Sequence, residues 1–218
     1  PFCVVGSQVE IGAGTILENN VTLTGRVTSG ERNHIHATSV IGGTPQDLSY
    51  TGADTEVVIG NDNVFREGVT INRGTEKEEG ITVVGNHGYF MALAHIAHDC
   101  RVGDRVVMAN GSMLGGHVHV HDDATLSGNV AVHHFSTVGS FSFVGGLSRV
   151  TMDVPPYMLC EGHPARPRCI NIVALKRNNF AANAIKGLQQ AYRLIYRTKA
   201  RLDEAREILR STGRLTPQ

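Results

Sequence analysis

The chain has 218 residues with 20 basic and 20 acidic side chains, a balance that gives no overall field to attract nucleic acid or an anionic membrane. No apolar run approaches the roughly 18 residues that span a bilayer, so we expect no transmembrane segment. The four cysteines show no CxxC spacing and no disulfide-scaffold density, which indicates reduced thiols and a cytoplasmic protein.

An apolar residue recurs at every sixth position from the start of the chain. The register is present at Val5 and Ile11 and again at Ile35 and Ile41. Neither a helix nor an alternating strand has a period of six, so the pattern predicts the hexapeptide repeat of a parallel β-helix, with three hexads to a coil. The chain opens at Pro1 without Met and nearly in register, which suggests that a further coil precedes it.

Two stretches interrupt the repeat. The pattern is lost near 43–57, resumes at Ile59, and is lost again near 73–83. Interruptions of a regular solenoid are external loops, and such insertions commonly line the binding face. We therefore expect the binding site beside these two loops.

The longest uninterrupted repeat follows the second loop. Each hexad has one large inward residue and, four places later, a small or β-branched residue in the turn. The inward positions are Val84, Phe90, Ile96, Val102, Met108, Leu114, Val120, Leu126, Val132, Val138, Val144 and Val150. The sequence thus predicts an all-β solenoid over residues 1–155.

The composition changes after the solenoid. Pro155 and Pro156 stop the repeat, and further prolines predict an irregular connector over 156–170. Apolar residues then recur at helical spacing, and a second amphipathic segment ends near Gly213, a plausible C-cap. We expect a small α-helical domain over 171–218.

Histidines are concentrated in one part of the solenoid. Seven of the 11 lie between residues 95 and 134. Because residues about 18 apart stack on neighbouring coils, we expect His98, His117 and His133 to share one wall. His98 is followed by Asp99, and such a pair suits a general base near neutral pH. No Ser or Cys nucleophile is evident, which favours direct attack by a substrate hydroxyl.

Seven segments of the chain resemble a known family. They are IGGTPQDLSYTG, REGVTINRGT, AHIAHDC, LGGHV, AVHHF, DVPPYMLCEGHPA and NIVALKR. Together they resemble the UDP-N-acetylglucosamine O-acyltransferases of lipid A biosynthesis over essentially the whole chain. The resemblance implies a left-handed parallel β-helix with a C-terminal helical domain, and a homotrimer with active sites between subunits. It also implies transfer of an (R)-3-hydroxyacyl group from acyl carrier protein to the 3-hydroxyl of UDP-N-acetylglucosamine.

The resemblance also implies roles for individual residues. His98 matches the general base, Asp99 its partner, and the backbone N–H of Gly116 the oxyanion donor. Matches to substrate-binding positions fall on Gln46, Asp47, Asn72, His95, His117, His133, His134, Asn171 and Arg177. Gly146 matches the ruler that sets acyl-chain length. No cofactor and no metal are implied.

Four positions depart from the family pattern. Ser49 stands where Lys is frequent, Asn72 where His is usual, His134 where Gln is usual, and Asn178 where a second Arg often follows Arg177. The loss of cations near the nucleotide leaves two acceptors open, UDP-N-acetylglucosamine and its 3-amino analogue.

Three other functions fit the sequence less well. A zinc enzyme like the γ-class carbonic anhydrases would need three histidines; His98 and His134 have suitable spacing, but no third ligand follows shortly after His134. The related N-acyltransferases carry an additional uridine-binding domain, for which there is no room before Val5. A non-enzymatic scaffold is disfavoured by the intact HIAHD and LGGH segments.

Overall fold

The computed structural model of the protein describes residues 1–198 and 201–211, so the expected C-cap at Gly213 lies outside the described residues. The strands in chain order are β1 (Val4–Val5), β2 (Val9–Ile11), β3 (Ile16–Leu17), β4 (Thr22–Leu23), β5 (Arg26–Ser29), β6 (His34–Ile35), β7 (Val40–Gly43), β8 (Glu56–Ile59), β9 (Val64–Phe65), β10 (Thr70–Asn72), β11 (Ile81–Val84), β12 (Tyr89–Phe90), β13 (His95–Ile96), β14 (Arg101–Val102), β15 (Val107–Met108), β16 (Met113–Leu114), β17 (His119–Val120), β18 (Thr125–Leu126), β19 (Ala131–Val132), β20 (Thr137–Val138), β21 (Phe143–Val144), β22 (Arg149–Val150), β23 (Met158–Gly162) and β24 (Ala165–Ile170). The helices are α1 (Ile172–Arg177), α2 (Ala182–Tyr192), which runs into a π-helical segment (Arg193–Arg197), and α3 (Leu202–Ser211).

Every third strand of the solenoid pairs in parallel, which produces three sheets. Sheet 1 is β1-β4-β7-β10-β13-β16-β19-β22, sheet 2 is β2-β5-β8-β11-β14-β17-β20, and sheet 3 is β3-β6-β9-β12-β15-β18-β21-β23-β24. In the regular part Val107 pairs with Thr125, and Thr125 with Phe143, so one coil takes 18 residues. This confirms the solenoid that the period of six predicts.

The core is a set of stacks, one for each sheet. The second residue of a short strand points inward, and Phe65 and Phe90 from neighbouring strands of sheet 3 stack with ring centroids 5.0 Å apart. Both rings are fully buried, as is Met108 on the next coil. A period of six therefore gives one large buried side chain per face per coil.

Each corner of the solenoid contains a residue in the left-handed backbone region. From His87 to Leu147 this residue recurs at every sixth position, with φ between 54° and 66°. Few of these residues are glycine, although the conformation is uncommon for other residues. Asp99 and His117 occupy two such positions, so the winding of the solenoid itself fixes where their side chains leave the backbone.

A ladder of Asn and Asp side chains closes the corner between sheets 2 and 3. The Oδ1 atom of Asn86 accepts a hydrogen bond of 2.8 Å from the N–H of Asn61 on the preceding coil, and Asp104 accepts one of 2.7 Å from Asn86. Gly60 gives this side chain room, because a Cβ there would lie 2.5 Å from Asn86 Oδ1. Glycine recurs before the corner because the next coil's amide or carboxylate lies against it.

The two inserted loops leave the solenoid at the same corner. Residues 44–55 join β7 of sheet 1 to β8 of sheet 2, and residues 73–80 make the same connection one coil later, from β10 to β11. The loops bind each other: the Thr51 hydroxyl donates to Glu76 at 2.7 Å, and Lys77 Nζ lies 2.5 Å from the Asp47 carboxylate.

The segment expected to be an irregular connector over 156–170 is instead a hairpin. β23 continues sheet 3 beside β21, and β24 pairs antiparallel to β23. The prolines misled the expectation because Pro164 lies in the turn and Pro167 on the outermost strand. At an edge, the missing N–H of proline costs the sheet no ladder hydrogen bond.

Asn171 joins the hairpin to the helical segments. Its Oδ1 accepts from the N–H of Ala174 at 3.2 Å and caps α1, while its Nδ2 donates to the carbonyl of Phe141 at 2.9 Å. Leu175 of α1 is fully buried against the last coils. Within the described residues, no helix is both long and apolar enough to cross a membrane.

Candidate active site

His98 lies on the first tight turn after the two inserted loops. It follows β13 at the corner between sheets 1 and 2, where the two preceding coils carry residues 44–55 and 73–80. The loops therefore rise beside the turn and form one wall above it. The positions of the two loops in the sequence predict a wall of this kind beside the binding site.

Asp99 is buried behind His98 and holds its imidazole. Its side chain is 1 % exposed, and its Oδ2 accepts a hydrogen bond of 2.8 Å from Nδ1 of His98. The second loop supplies two more donors, the N–H of Thr75 at 2.8 Å and its hydroxyl at 2.7 Å. Because an ionised carboxylate only accepts, the proton of the neutral imidazole lies on Nδ1. The Nε2 atom of His98 then has a free lone pair and can act as a base.

His117 occupies the same position as Asp99, one coil further along. Its Nε2 is 3.8 Å from Asp99 Oδ2, and its ring meets that of His98 edge-on at 5.1 Å. Phe135, on the following coil, stacks on His117 with centroids 4.4 Å apart. The Nδ1 atom of His117 is 3.0 Å from Glu78, in an orientation that makes no hydrogen bond. These contacts fix the His117 ring, which in turn packs against His98.

Gly116 lies directly beside His98 on the neighbouring coil. A Cβ at this glycine would be 2.4 Å from Cε1 and 2.6 Å from Nε2 of His98. The glycine is required because the imidazole occupies the space of a side chain. In the part of the chain that the structure describes, the Gly116 N–H donates to no protein acceptor, so it is available to a substrate oxygen.

An open groove of about 640 Å³ runs past these residues. It is lined by Gln46, Asp47, Leu48, Lys77, His95, Ala97, His98, Met113, Leu114, Gly115, Gly116, His117, Ala131, Val132, His134 and Phe135. Seven residues singled out from the sequence are among them. Lys77 and Phe135 were missed; Phe135 follows from the 18-residue spacing that leads from Asp99 through His117, whereas nothing in the sequence pattern points to Lys77.

Charges and protonation within the groove differ between its two walls. Asp47 accepts from Lys77 and from the N–H and hydroxyl of Ser49, both at 2.9 Å. The hydrogen bond from Lys77, followed by those from Ser49, holds the pKa of Asp47 well below its usual range.

His95 pairs with the Thr70 hydroxyl at 2.7 Å. Burial lowers the pKa of His95, and the electrostatic interaction with His98 lowers it further.

Asp99 is buried behind His98 and does not line the groove, and five further residues singled out from the sequence also lie outside its lining. Asn72 is buried at the base of the first loop, where its Nδ2 donates to the Thr44 carbonyl at 3.0 Å. His133 is exposed and packs on His134 with centroids 4.0 Å apart. The sequence predicted that His98, His117 and His133 share one wall, and this is wrong in part. The residues in line with His98 at intervals of 18 are Gly116 and His134, and His117 lies beside them.

The other three lie elsewhere on the solenoid. Asn171 and Arg177 line a second groove of about 430 Å³ between sheet 3 and α1, together with Arg105 and Asn178. Gly146 is on an exposed turn between sheets 3 and 1. The nearest atoms to a Cβ there would be the Gly128 carbonyl oxygen at 3.3 Å and the Ser127 hydroxyl at 3.5 Å.

The donor atoms near His98 do not match the three-histidine zinc set. In one chain the donors within 4.8 Å of one another are those of His98, Asp99 and His117, and His134 is not among them. Both oxygens of Asp99 already accept hydrogen bonds from His98 and Thr75. The arrangement suits an oriented base better than a metal ligand set.

Known proteins resemble this chain over most of its length. A family described as UDP-N-acetylglucosamine O-acyltransferase, domain 2, matches residues 153–218. The acyl-[acyl-carrier-protein]–UDP-N-acetylglucosamine O-acyltransferase of Syntrophobacter fumaroxidans is 46% identical over 210 residues, which are 96% of this chain and 81% of that protein. The solved UDP-N-acetylglucosamine acyltransferase of Francisella novicida superposes with a TM-score of 0.93 at 40% identity, over 98% of this chain and 78% of the other. The Arabidopsis enzyme gives 0.84 at 34% identity, over 97% and 81%.

The fold and the oriented histidine define an acyltransferase of the hexapeptide-repeat class, and the match to the solved structures confirms that the β-helix is left-handed. The extent of the identity settles the family. The chain belongs to the UDP-N-acetylglucosamine O-acyltransferases.

Proposed function

We propose that this protein transfers an (R)-3-hydroxyacyl group from acyl carrier protein to the 3-hydroxyl of UDP-N-acetylglucosamine, the first step of lipid A biosynthesis. The observation that supports this most directly is the hydrogen bond of 2.8 Å from His98 Nδ1 to the buried carboxylate of Asp99. It leaves Nε2 facing an open groove as a base. Membership of the family supports the choice of substrates.

The reaction needs no covalent enzyme intermediate. His98 Nε2 accepts the proton of the sugar hydroxyl as the oxygen attacks the thioester carbonyl and a C–O bond forms. The carbonyl oxygen gains negative charge, which the free N–H of Gly116 can stabilise. The C–S bond then breaks, and the proton passes from His98 to the leaving thiolate of the carrier. Asp99 stabilises the imidazolium between these two steps.

Both inserted loops take part in binding the acceptor. Gln46 and Asp47 lie on the first loop at the edge of the groove, and Lys77 lies beside them on the second. Asp47 is anionic and can accept hydrogen bonds from sugar hydroxyls. Ser49 stands at a position where Lys is frequent in the family. Lys77 supplies a cation near that position, and a cation there suits binding of the diphosphate.

The positions of the two grooves favour assembly into a closed homotrimer. Asn171 caps α1 and Arg177 ends it, in the groove between α1 and sheet 3, whereas His98 lies at the corner between sheets 1 and 2. The residues proposed for the nucleotide therefore reach the His98 groove only from a neighbouring subunit. A threefold arrangement brings the two grooves together at each interface. A fully active monomer in light scattering at micromolar concentration would contradict this.

The proposed carrier-protein donor and the state of the cysteines favour the cytoplasm. Among the described residues Cys3, Cys100, Cys160 and Cys169 are all free thiols. Burial raises the pKa of Cys100 to about 12, so this thiol stays protonated and inert. Free thiols are typical of a reducing compartment.

The test is His98→Ala, assayed with acyl carrier protein loaded with 3-hydroxyacyl chains. The rate should fall by roughly 10² to 10⁴ while the β-helix and assembly are retained, because a general base contributes about that much. His121→Ala, an exposed histidine outside the groove, is the matched control and should keep its activity. Near-normal turnover by pure His98→Ala would exclude the proposed base.

The same assay decides the acceptor. UDP-N-acetylglucosamine and its 3-amino analogue are offered in parallel, because Asn72 departs from the family pattern and its Oδ1 has no hydrogen-bond partner in the structure. A preference of more than about tenfold in kcat/KM for the amino sugar, equivalent to about 1.4 kcal/mol, would change the proposed acceptor while keeping the mechanism.

A further inference from the structure

A second group of histidines lies at another corner of the solenoid, away from the proposed active site. Glu18 follows β3, and His36 follows β6, at the corner between sheets 3 and 1. His34 is the outward residue of β6. The group spans the first two coils, and none of its members lines the groove beside His98.

The donor atoms of this group converge on one point. Oε1 of Glu18 is 2.9 Å from Nε2 of His34 and 3.1 Å from Nδ1 of His36. The two imidazoles stack with centroids 4.0 Å apart and an interplanar angle of 23°. All three donors lie within 4.8 Å of one another, and the side chains are partly shielded from solvent, with His36 only 16 % exposed.

Glu67 lies nearby but already has a partner. Its Oε1 is 3.6 Å from His36 Nδ1, and both of its oxygens accept from the guanidinium of Arg66, at 2.9 Å and 3.1 Å. The cation beside it makes Glu67 a poor ligand for a second cation. The converging set is therefore two imidazole nitrogens and one carboxylate oxygen.

This set has the composition and spacing of a transition-metal site. Zinc binds imidazole nitrogen and carboxylate oxygen at about 2.0 to 2.2 Å, which separates tetrahedral ligands by about 3.4 Å. The observed separations from Glu18 are within about half an ångström of this value. Among the described residues, only His34 forms a hydrogen bond with this carboxylate oxygen, whereas His36 Nδ1 lies 3.1 Å from it without one. A divalent ion would satisfy all three donors together.

We propose that Glu18, His34 and His36 bind a divalent transition-metal ion, with Zn²⁺ as the first candidate and solvent completing its coordination. The ion links the first coil to the second. A link of this kind between neighbouring coils adds to the stability of the solenoid. The site is separate from acyl transfer.

The experiment titrates Zn²⁺ into protein that has first been stripped with a chelator, in competition with a chromophoric chelator. Wild type should bind one ion tightly at this site, and its melting temperature should rise by several degrees with Zn²⁺. Glu18→Gln and the double variant His34→Ala/His36→Ala should each weaken binding by about tenfold or more and lose the rise. Acyltransferase activity should be unchanged in all of them.

Two controls make the result specific. His119→Ala/His121→Ala removes two exposed histidines with the same spacing that form no ion pair among the described residues, and it should bind as wild type does. His98→Ala should also retain the ion. The proposal is overturned if Zn²⁺ binds no more tightly than about 100 µM, if the Glu18 and His34/His36 variants bind it unchanged, or if His98→Ala abolishes the binding.

Discussion

The hydroxyl of Thr75 donates a 2.7 Å hydrogen bond to the carboxylate of Asp99, which joins the second inserted loop to the residue that holds the His98 ring. The N–H of Thr75 donates to the other oxygen of the same carboxylate at 2.8 Å. The loop thus does more than cover the groove, because it supplies two of the three donors that compensate a buried charge.

Replacing Thr75 tests this link. Thr75→Ala leaves the backbone hydrogen bond and removes the hydroxyl, so Asp99 should orient His98 less well and kcat should fall by about tenfold with little change in KM for the acceptor. Thr51→Ala removes a loop-to-loop contact that does not touch Asp99 and is the control. Equal losses in both variants would mean that Thr75 acts only on loop stability.

Gly116→Ala should displace the base. The added methyl would lie 2.4 Å from the His98 ring, so the imidazole must move and the nearby N–H with it. We expect kcat to fall by about 10²-fold or more, the usual effect of misplacing a reacting group. Gly128→Ala, where a Cβ would have ordinary contact distances, should be nearly neutral. High activity in Gly116→Ala would remove the close approach from the mechanism.

Lys77 should contribute to acceptor binding. Lys77→Met should raise KM for the sugar nucleotide by about tenfold while kcat changes little, because the ammonium is placed beside Asp47 and not beside the base. Lys77→Arg keeps the charge and should restore most of the affinity. An unchanged KM in Lys77→Met would assign the lysine to the Asp47 ion pair alone.

His95 should make the fold less stable in acid. Burial lowers its pKa in the folded state, so below the unfolded value near 6.5 the unfolded chain binds more protons than the folded one. This contribution to stability is complete above that pH and is lost as the pH falls. His95→Gln should therefore show a smaller drop in melting temperature between pH 7.5 and 5.5 than wild type. An identical drop in both proteins would contradict the lowered pKa.

Gly146 is expected to set the acyl-chain length. Gly146→Met should block the terminal methylenes of a long chain, each contributing about 0.8 kcal/mol when buried, and shift the preference to shorter donors. The exposed turn can hold the side chain, since a Cβ there meets nothing closer than 3.3 Å. Loss of activity on every chain length alike would make Gly146 a backbone requirement and leave Leu147 as the next candidate.

The solenoid was predictable because a period of six is a direct consequence of its geometry. The groove was predictable only in part. An offset of 18 places Gly116 and His134 beside His98, whereas the expectation from the sequence also placed His133 there, one residue out of register. Thr75 and Lys77 lie on a loop that follows no period, so their contacts with Asp99 and Asp47 depend on a tertiary fold that no local pattern encodes. The hairpin after the solenoid was hidden by prolines that its turn and outer edge tolerate.

In the ladder between sheets 2 and 3, Asn86 accepts a hydrogen bond from the N–H of Asn61, and Asp104 accepts one from the N–H of Asn86. Each coil therefore depends on the next coil for a hydrogen bond. A change in chain length is then tolerated most easily in steps of one whole coil, 18 residues in the regular part, because every carboxylate or amide still meets a glycine and an N–H. A deletion of six residues between His98 and Gly116 would instead rotate all later side chains by one face and separate these two residues. Relatives that differ in the number of coils can therefore keep the same reactive corner, whereas a shift by one or two hexads destroys it.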